Sequence, residues 1–303
     1  MAKWTASDIP SQKGRAAIVT GTGGLGLEDA LALARAGAEV IIAGRNPAKG
    51  AAAVKRIRAE VPSAAARFEQ VDLANLRSVA DFCDRLQGQR DSLDLLINNA
   101  AVMVPPQRQE TVDGFELQLA TNYLGHFALT AGLMPLLRNG KNARVVSLSS
   151  VAARQGAIDF DDLNARRSYN PMRSYGQSKL ACLMFAFSLQ RRSEAGGWGI
   201  TSIAAHPGIS RTDLLHNAPG RRSGVGIARS LLWFMFQPAA QGALPTLFAA
   251  TSQQARGGAY YGPDRLREMR GYPAASKIPP QALDVEIAEQ LWEISEHLVG
   301  RAI

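Results

Sequence analysis

Apolar and polar positions along the chain follow two periods. Strand-length runs recur at 16–20 (AAIVT), 39–43 (EVIIA), 67–72, 93–98 (LDLLIN), 143–148 (ARVVSL), 200–205 and about 258–261. Between them, apolar residues fall at helical spacing over 27–36, 48–60, 75–88, 112–138, 173–194 and 281–299. Several strand runs are apolar throughout rather than alternating, which predicts strands covered on both faces of a parallel sheet. The regular strand–helix alternation predicts a doubly wound α/β fold, read as one domain over 1–303. Residues 1–14 read as an irregular arm. Residues 207–257 read as a less regular stretch holding the apolar segment Ile227–Phe236.

The first strand run ends in a glycine turn, Gly21-Thr22-Gly23-Gly24-Leu25-Gly26, and a helical pattern follows at once. Chance yields a G-x-G-x-x-G about 0.2 times in a chain this rich in glycine, so the strand before and the helix after carry the reading. In that context glycine lets the backbone approach a pyrophosphate, and the helix N-terminus stabilises its charge. The second strand ends in Gly44-Arg45-Asn46, where a site for NAD would place a carboxylate on the ribose 2′-hydroxyl. Arg45 can instead fork onto a 2′-phosphate, which selects NADP(H).

Composition narrows the function classes. The apolar fraction of 46% suits a globular protein with a large core. No uncharged apolar run approaches the roughly 18 residues of a membrane span, and Met1–Pro10 lacks a secretory apolar region. Cys83 and Cys182 read as buried free thiols, which sets the expectation of a reducing, cytoplasmic protein. No His/Cys cluster suggests a metal. The net charge of +8 comes from dispersed arginines, such as Arg166-Arg167 and Arg221-Arg222, without interleaved aromatics. Nucleic acid is therefore not expected as a partner. Peripheral membrane contact through Ile227–Phe236 stays open.

The stretch Ser174-Tyr175-Gly176-Gln177-Ser178-Lys179 opens an apolar helical run. A spacing of four puts Tyr175 and Lys179 on one helix face. A cation beside the phenol should lower its pKa and fit it for proton transfer near neutral pH.

Taken in order, these motifs resemble those of the short-chain dehydrogenases/reductases, in the branch with retinol-dehydrogenase-like and related bacterial oxidoreductases. The likeness runs from Trp4 to about Pro263. It rests on the glycine turn, Asp72-Leu73, Asn98-Asn99-Ala100-Ala101, Asn122-Tyr123-Leu124-Gly125-His126-Phe127, Ser149-Ser150-Val151-Ala152, the Tyr175/Lys179 pair and His206-Pro207-Gly208. The resemblance implies a Rossmann-type fold and an alcohol dehydrogenase or carbonyl reductase using NADP(H). By position, Tyr175 would be the general acid/base and Ser150 would polarise the substrate carbonyl. Lys179 would hold the nicotinamide ribose, and Asn122 a water on the proton path. Asp72 would bind the adenine amino group, with Leu73 beside it; Asn99, Ala100 and Ala101 would line the ribose. Pro207, Gly208, Ile209 and Thr212 would hold the nicotinamide amide.

The glycine loop is one residue shorter than the family's usual T-G-x-x-x-G-x-G, which leaves Arg45 and Asn46 more of the 2′-phosphate. Residues 151–174, with Asp159-Phe160-Asp161-Asp162-Leu163, would form one wall of the substrate cleft. A lid over about 214–237 would cover a lipophilic substrate. Family members also form dimers or tetramers, through helices that correspond to Leu117–Leu137 and Ser174–Arg192. Two other classes stay open: an epimerase or dehydratase that retains its nucleotide, and a non-catalytic NADP-binding sensor.

Overall fold

The computed structural model describes residues 3–210 and 236–303. Eight strands form one sheet in the order β3-β2-β1-β4-β5-β6-β7-β8. They are β1 (Ala16–Thr20), β2 (Glu39–Gly44), β3 (Ala66–Gln70), β4 (Leu95–Asn98), β5 (Arg144–Leu148), β6 (Thr201–Ala205), β7 (Tyr260–Arg265) and β8 (Arg270–Ala275). All neighbours pair in parallel except β7 and β8. The order reverses between β1 and β4, and the strands' C-terminal ends part there to leave a crevice.

The helices are α1 (Gly24–Arg35), α2 (Pro47–Glu60), α3 (Leu76–Gln87), α4 (Gly125–Arg138), α5 (Pro171–Gly196), α6 (Ala239–Thr251) and α7 (Val285–Val299). Alternate strand residues feed two cores, as the uninterrupted apolar runs predict. Ala17, Val19, Ile42 and Ile97 face α1, α2 and α6. Ile18, Ile41, Leu96 and Val145 face α3, α4, α5 and α7.

Three elements depart from expectation. The helix expected over 112–138 begins only at Leu117 and passes through a π turn, Ala120–Leu124, before α4. Its intended first turn is spent elsewhere: Thr111 Oγ1 accepts from Phe115 N, and the Asp113 carboxylate accepts from Leu76 N. Helix α6 lies in the stretch read as irregular. Gly242 and Pro245 mask it in the sequence, and burial against α1 outweighs their poor propensity. Strand β8 carries Gly271 and Pro273, which an edge strand tolerates. Elsewhere the ends shift by a few residues; α7 starts at Val285, capped by Asp284 Oδ1 on Ile287 N at 3.0 Å.

Helix α7 covers part of the surface of α4 and α5. Trp292 is 1% exposed, stacked on Phe185 at 5.6 Å and edge-on to Phe127 at 5.0 Å. Tyr123 Oη and Ser295 Oγ hydrogen-bond at 2.7 Å, and Arg191 and Arg192 both pair with Glu289. Part of the helix surface expected to serve self-association thus holds a helix of its own chain. Light scattering should accordingly give the mass of one chain; twice that mass would mean that α7 leaves this face or that another surface associates.

Asp29 on α1 is 0% exposed, and neither carboxylate oxygen has a hydrogen-bond partner among the described residues. Burial, reinforced by the Glu28 charge, pushes its pKa well above the usual carboxylate value. A raised folded pKa means that the folded chain holds this proton more tightly than the unfolded one. The associated stability is present at low pH and is lost as pH rises through the raised value. Asp29→Asn should therefore raise Tm most at about pH 8 and progressively less toward about pH 5. A shift independent of pH in thermal unfolding would contradict this account.

Candidate active site

The turn after β1 is built around glycines. Gly21 has φ +101°, and a Cβ there would sit 2.7 Å from Asn99 Nδ2. A Cβ on Gly26 would lie 2.6 Å from Gly21 O, so α1 packs straight onto the turn. In the shortened loop the Thr22 methyl closes on β2, where a Cβ on Gly44 would lie 2.9 Å from it. Gly23 is extended and α1 begins at Gly24, which directs the first N–H groups of the helix outward from the crevice floor.

A cavity of about 730 Å³ opens at this point. Gly21, Thr22, Gly23, Gly24 and Leu25 line it, with Arg45 and Asn46, Asp72 and Leu73, and Asn99, Ala100 and Ala101. Lys49 and Arg56 also line it and escaped the sequence reading. Both lie on α2, seven residues apart and so on one face of the helix. Among the described lining residues, Asp72 is the only carboxylate. The donor set suits a doubly charged pyrophosphate and a further phosphate: helix N–H groups at one end, and Arg45 with Lys49 at the other. Arg56 is less available, being paired with Glu28 at 2.9 Å and Glu60 at 3.2 Å.

Some lining residues have structural duties. Asn46 Oδ1 caps α2 by accepting from Lys49 N at 3.0 Å. Asn99 Nδ2 donates to Thr20 O at 2.6 Å, and its main-chain N–H donates to Thr20 Oγ1 at 2.8 Å. Asn99 therefore pins the β1 turn with one of its two carboxamide hydrogens. Asp72 Oδ1 accepts from Ala74 N at 3.0 Å. Gly26 lies under the turn and does not line the cavity.

The proton-transfer candidates sit beyond this cavity. Tyr175 and Lys179 lie one turn apart in α5 and are 5% and 3% exposed. Ser150 follows β5 and its hydroxyl caps a short 3-10 turn (Val151–Gln155) by accepting from Ala152 N at 3.2 Å, close enough to the Tyr175 phenol to oppose the effect of burial on it. Ser149 is separated from this role, since its hydroxyl donates to Lys179 O at 2.7 Å. The expected lowering of the Tyr175 pKa by Lys179 is not what the structure shows. Burial pushes Tyr175 up to about 12, and only the Ser150 hydroxyl eases it. The Lys179 ammonium is directed at Leu148 O, 3.0 Å away, and its own pKa is lowered by burial.

Asn122 is engaged on all sides by its own chain. Its side chain clasps Val102 in both directions: Val102 N donates to Oδ1 at 2.8 Å, and Nδ2 donates to Val102 O at 3.0 Å. Nδ2 also donates to Ser178 Oγ at 2.9 Å. The Asn122 carbonyl already accepts from His126 Nδ1 and from the Cys182 thiol, each at 3.0 Å. These contacts make Asn122 an anchor between the cavity wall at Val102 and the Tyr175 helix.

Pro207, Gly208 and Ile209 follow β6. Gly208 has φ +62° and packs on Met269 O, which also accepts from Ile209 N at 2.8 Å. His206 is buried under this turn, with Nε2 3.1 Å from Glu268 Oε2 and 2.9 Å from Ser276 Oγ. Thr212 and residues 214–235 of the expected lid lie outside the described residues. The insert does not line the cofactor crevice. Phe160, Asp161, Asp162 and Leu163 line a second cavity of about 360 Å³ with Phe115, Leu119 and α7.

A family profile described as short chain dehydrogenase matches residues 15–222. The chain is 40% identical over 297 residues to polyprenol dehydrogenase of Mus musculus, covering 96% of this chain and 86% of that one. It is 39% identical over 299 residues to retinol dehydrogenase 13 of Homo sapiens, covering 95% and 85%. A solved structure titled as a putative uncharacterized protein from Mycobacterium Paratuberculosis superposes with TM-score 0.82 at 37% identity, covering 99% and 98%. A short chain dehydrogenase from Burkholderia cenocepacia J2315 in complex with NADP superposes with TM-score 0.63 at 25% identity, covering 82% and 96%.

The buried phenol makes a direct prediction. In nucleotide-free protein, ultraviolet titration of wild type minus Tyr175→Phe should show no phenolate at neutral pH. Substantial ionisation there would mean that Lys179 outweighs burial.

Proposed function

Because the chain belongs to the short-chain dehydrogenase family, we propose that it is an NADP(H)-dependent alcohol dehydrogenase or carbonyl reductase for lipophilic substrates. One observation supports the reading: a buried Tyr175 with half-buried Ser150 and buried Lys179 beside it, next to a crevice whose β2 end presents Arg45 and Lys49. The α1 N-terminus would hold the pyrophosphate, Arg45 and Lys49 the 2′-phosphate, and Pro207–Ile209 the nicotinamide end. The nicotinamide supplies or accepts the hydride. In the reducing direction Tyr175, protonated by its burial, donates to the carbonyl oxygen as negative charge develops there. Ser150 donates a second hydrogen bond to the same oxygen, and such donors contribute about 3 kcal/mol each in the transition state. In the oxidising direction Tyr175 must first lose its proton. Lys179 is the nearby cation that favours the phenolate once its ammonium turns from Leu148 O.

The relatives named for polyprenol and retinol support a lipophilic alcohol or carbonyl compound as substrate. None of the described helices is long and apolar enough to cross a membrane. Cys83 and Cys182 are free and buried; a cytoplasmic setting is proposed, and subcellular fractionation would test it.

The activity test combines cofactor and substrate. NADPH should be preferred over NADH, and Arg45→Ala should raise KM for NADPH roughly tenfold while leaving NADH little changed, as expected for one charge-assisted bond. With NADPH, kcat/KM across straight-chain aldehydes should rise about fourfold per added carbon until the pocket fills. Tyr175→Phe should lower kcat by at least about 100-fold while NADPH still binds. A wild-type preference for NADH, or a profile flat with chain length, would overturn the corresponding part. Nucleotide binding without turnover on any substrate would favour the sensor, epimerase or dehydratase alternatives.

A further inference from the structure

His126 is 4% exposed in the first turn of α4, and none of the residues that would touch cofactor or substrate is its immediate neighbour in sequence. Its two ring nitrogens nonetheless reach both halves of the site. Nδ1 lies 3.0 Å from the Asn122 carbonyl oxygen, and Nε2 lies 2.9 Å from Thr20 Oγ1. A carbonyl oxygen only accepts, so Nδ1 carries the hydrogen and Nε2 is the bare acceptor. The Thr20 hydroxyl hydrogen is then directed at Nε2, 2.9 Å away, in preference to its other acceptor, Ile97 O at 3.2 Å. That leaves the Thr20 oxygen to accept from Asn99 N at 2.8 Å and Ala100 N at 2.9 Å. The result is one directed chain, from the turns after β4 through Thr20 and His126 to Asn122. The Cys182 thiol donates to the same Asn122 oxygen from the turn of α5 that follows Lys179.

The two ends of this chain do different work. Thr20 closes β1 at the glycine turn and, buried beneath the crevice, holds Asn99 and Ala100, which line it. Asn122 holds Val102 at the crevice wall and Ser178 on the Tyr175 helix. We infer that His126 is a positioning residue that couples the cofactor turn to the proton-transfer segment, acting as a neutral strut between Thr20 and Asn122. The inference rests on the NADP(H) reading above. A second ring proton would have to displace one of the bonds at Thr20, because that oxygen's acceptor sites are taken. Burial, together with the Lys179 charge, outweighs the Asn122 bond and lowers the His126 pKa to about 4, which keeps the ring neutral.

The strut can be cut at either end. His126→Asn places an amide nitrogen near the Nδ1 position and keeps the bond to Asn122 while losing Thr20. His126→Gln reaches the Nε2 position and does the reverse. His126→Phe removes both. NADPH Kd by fluorescence titration, kcat with a lipophilic aldehyde and Tm would be measured on the full chain. The expected result is a split: Asn weakens NADPH binding roughly tenfold with kcat near wild type, and Gln lowers kcat roughly tenfold with Kd near wild type, as for a buried partner left unpaired. His126→Phe should lose both; should it fail to fold, the Asn and Gln pair carries the test. Variants that shift only Tm, or Asn and Gln variants that behave alike, would overturn the coupling. Wild type that fails to bind NADPH would overturn the cofactor reading itself, and the coupling with it.

Discussion

The hydrogen bonds that Thr20 makes across the gap between β1 and β4 are the constraint on which the site depends. Its carbonyl takes the Asn99 side chain, and its hydroxyl takes the Asn99 and Ala100 N–H groups and joins His126. Strand order reverses at this gap, so the two turns diverge to opposite faces of the sheet and leave a crevice. Without a bridge at its base, the turns would have no common reference. With it, Gly21 is pressed so close to Asn99 that a side chain at that position has no room.

Burial sets the electrostatics behind the crevice more strongly than charge pairing does. Tyr175, Lys179 and His126 are all driven toward their neutral forms by desolvation. A helix spacing that brings a cation near a phenol is therefore insufficient to ionise it. The same burial keeps the Tyr175 phenol protonated, with the Ser150 hydroxyl opposing it only in part. In this arrangement Lys179 turns its charge to the end of β5, where the Leu148 carbonyl receives it.

The outer layers hold this assembly in place. Helix α7 lays Trp292 across α4 and α5, the two helices that carry His126 and Tyr175. Helix α6 backs α1, and the β7–β8 hairpin holds the Pro207–Ile209 turn through Met269 O. These supports come from the last third of the chain, far in sequence from the motifs they steady.

Much of the fold was legible from local pattern, because a strand covered on both faces must be apolar at consecutive positions and a helix must repeat its apolar face. The glycine turn, the basic end of β2 and the Tyr175/Lys179 spacing were legible for the same reason: each is a geometry settled within a few residues. Other features depended on residues far away along the chain. Helix α6 forms despite Gly242 and Pro245 because α1 buries it, and β8 forms because β7 offers an edge. Which of Ser149 and Ser150 faces the phenol, what Lys179 touches, and how fully Asn122 is occupied were all decided by partners brought together only by folding. Lys49 and Arg56 needed α2 to turn one face toward the crevice. His126 and Thr20 stand 106 residues apart. Local periodicity specifies the face on which a side chain lies, whereas its hydrogen-bond partner and its desolvation depend on what packs against that face, and only the tertiary structure supplies that.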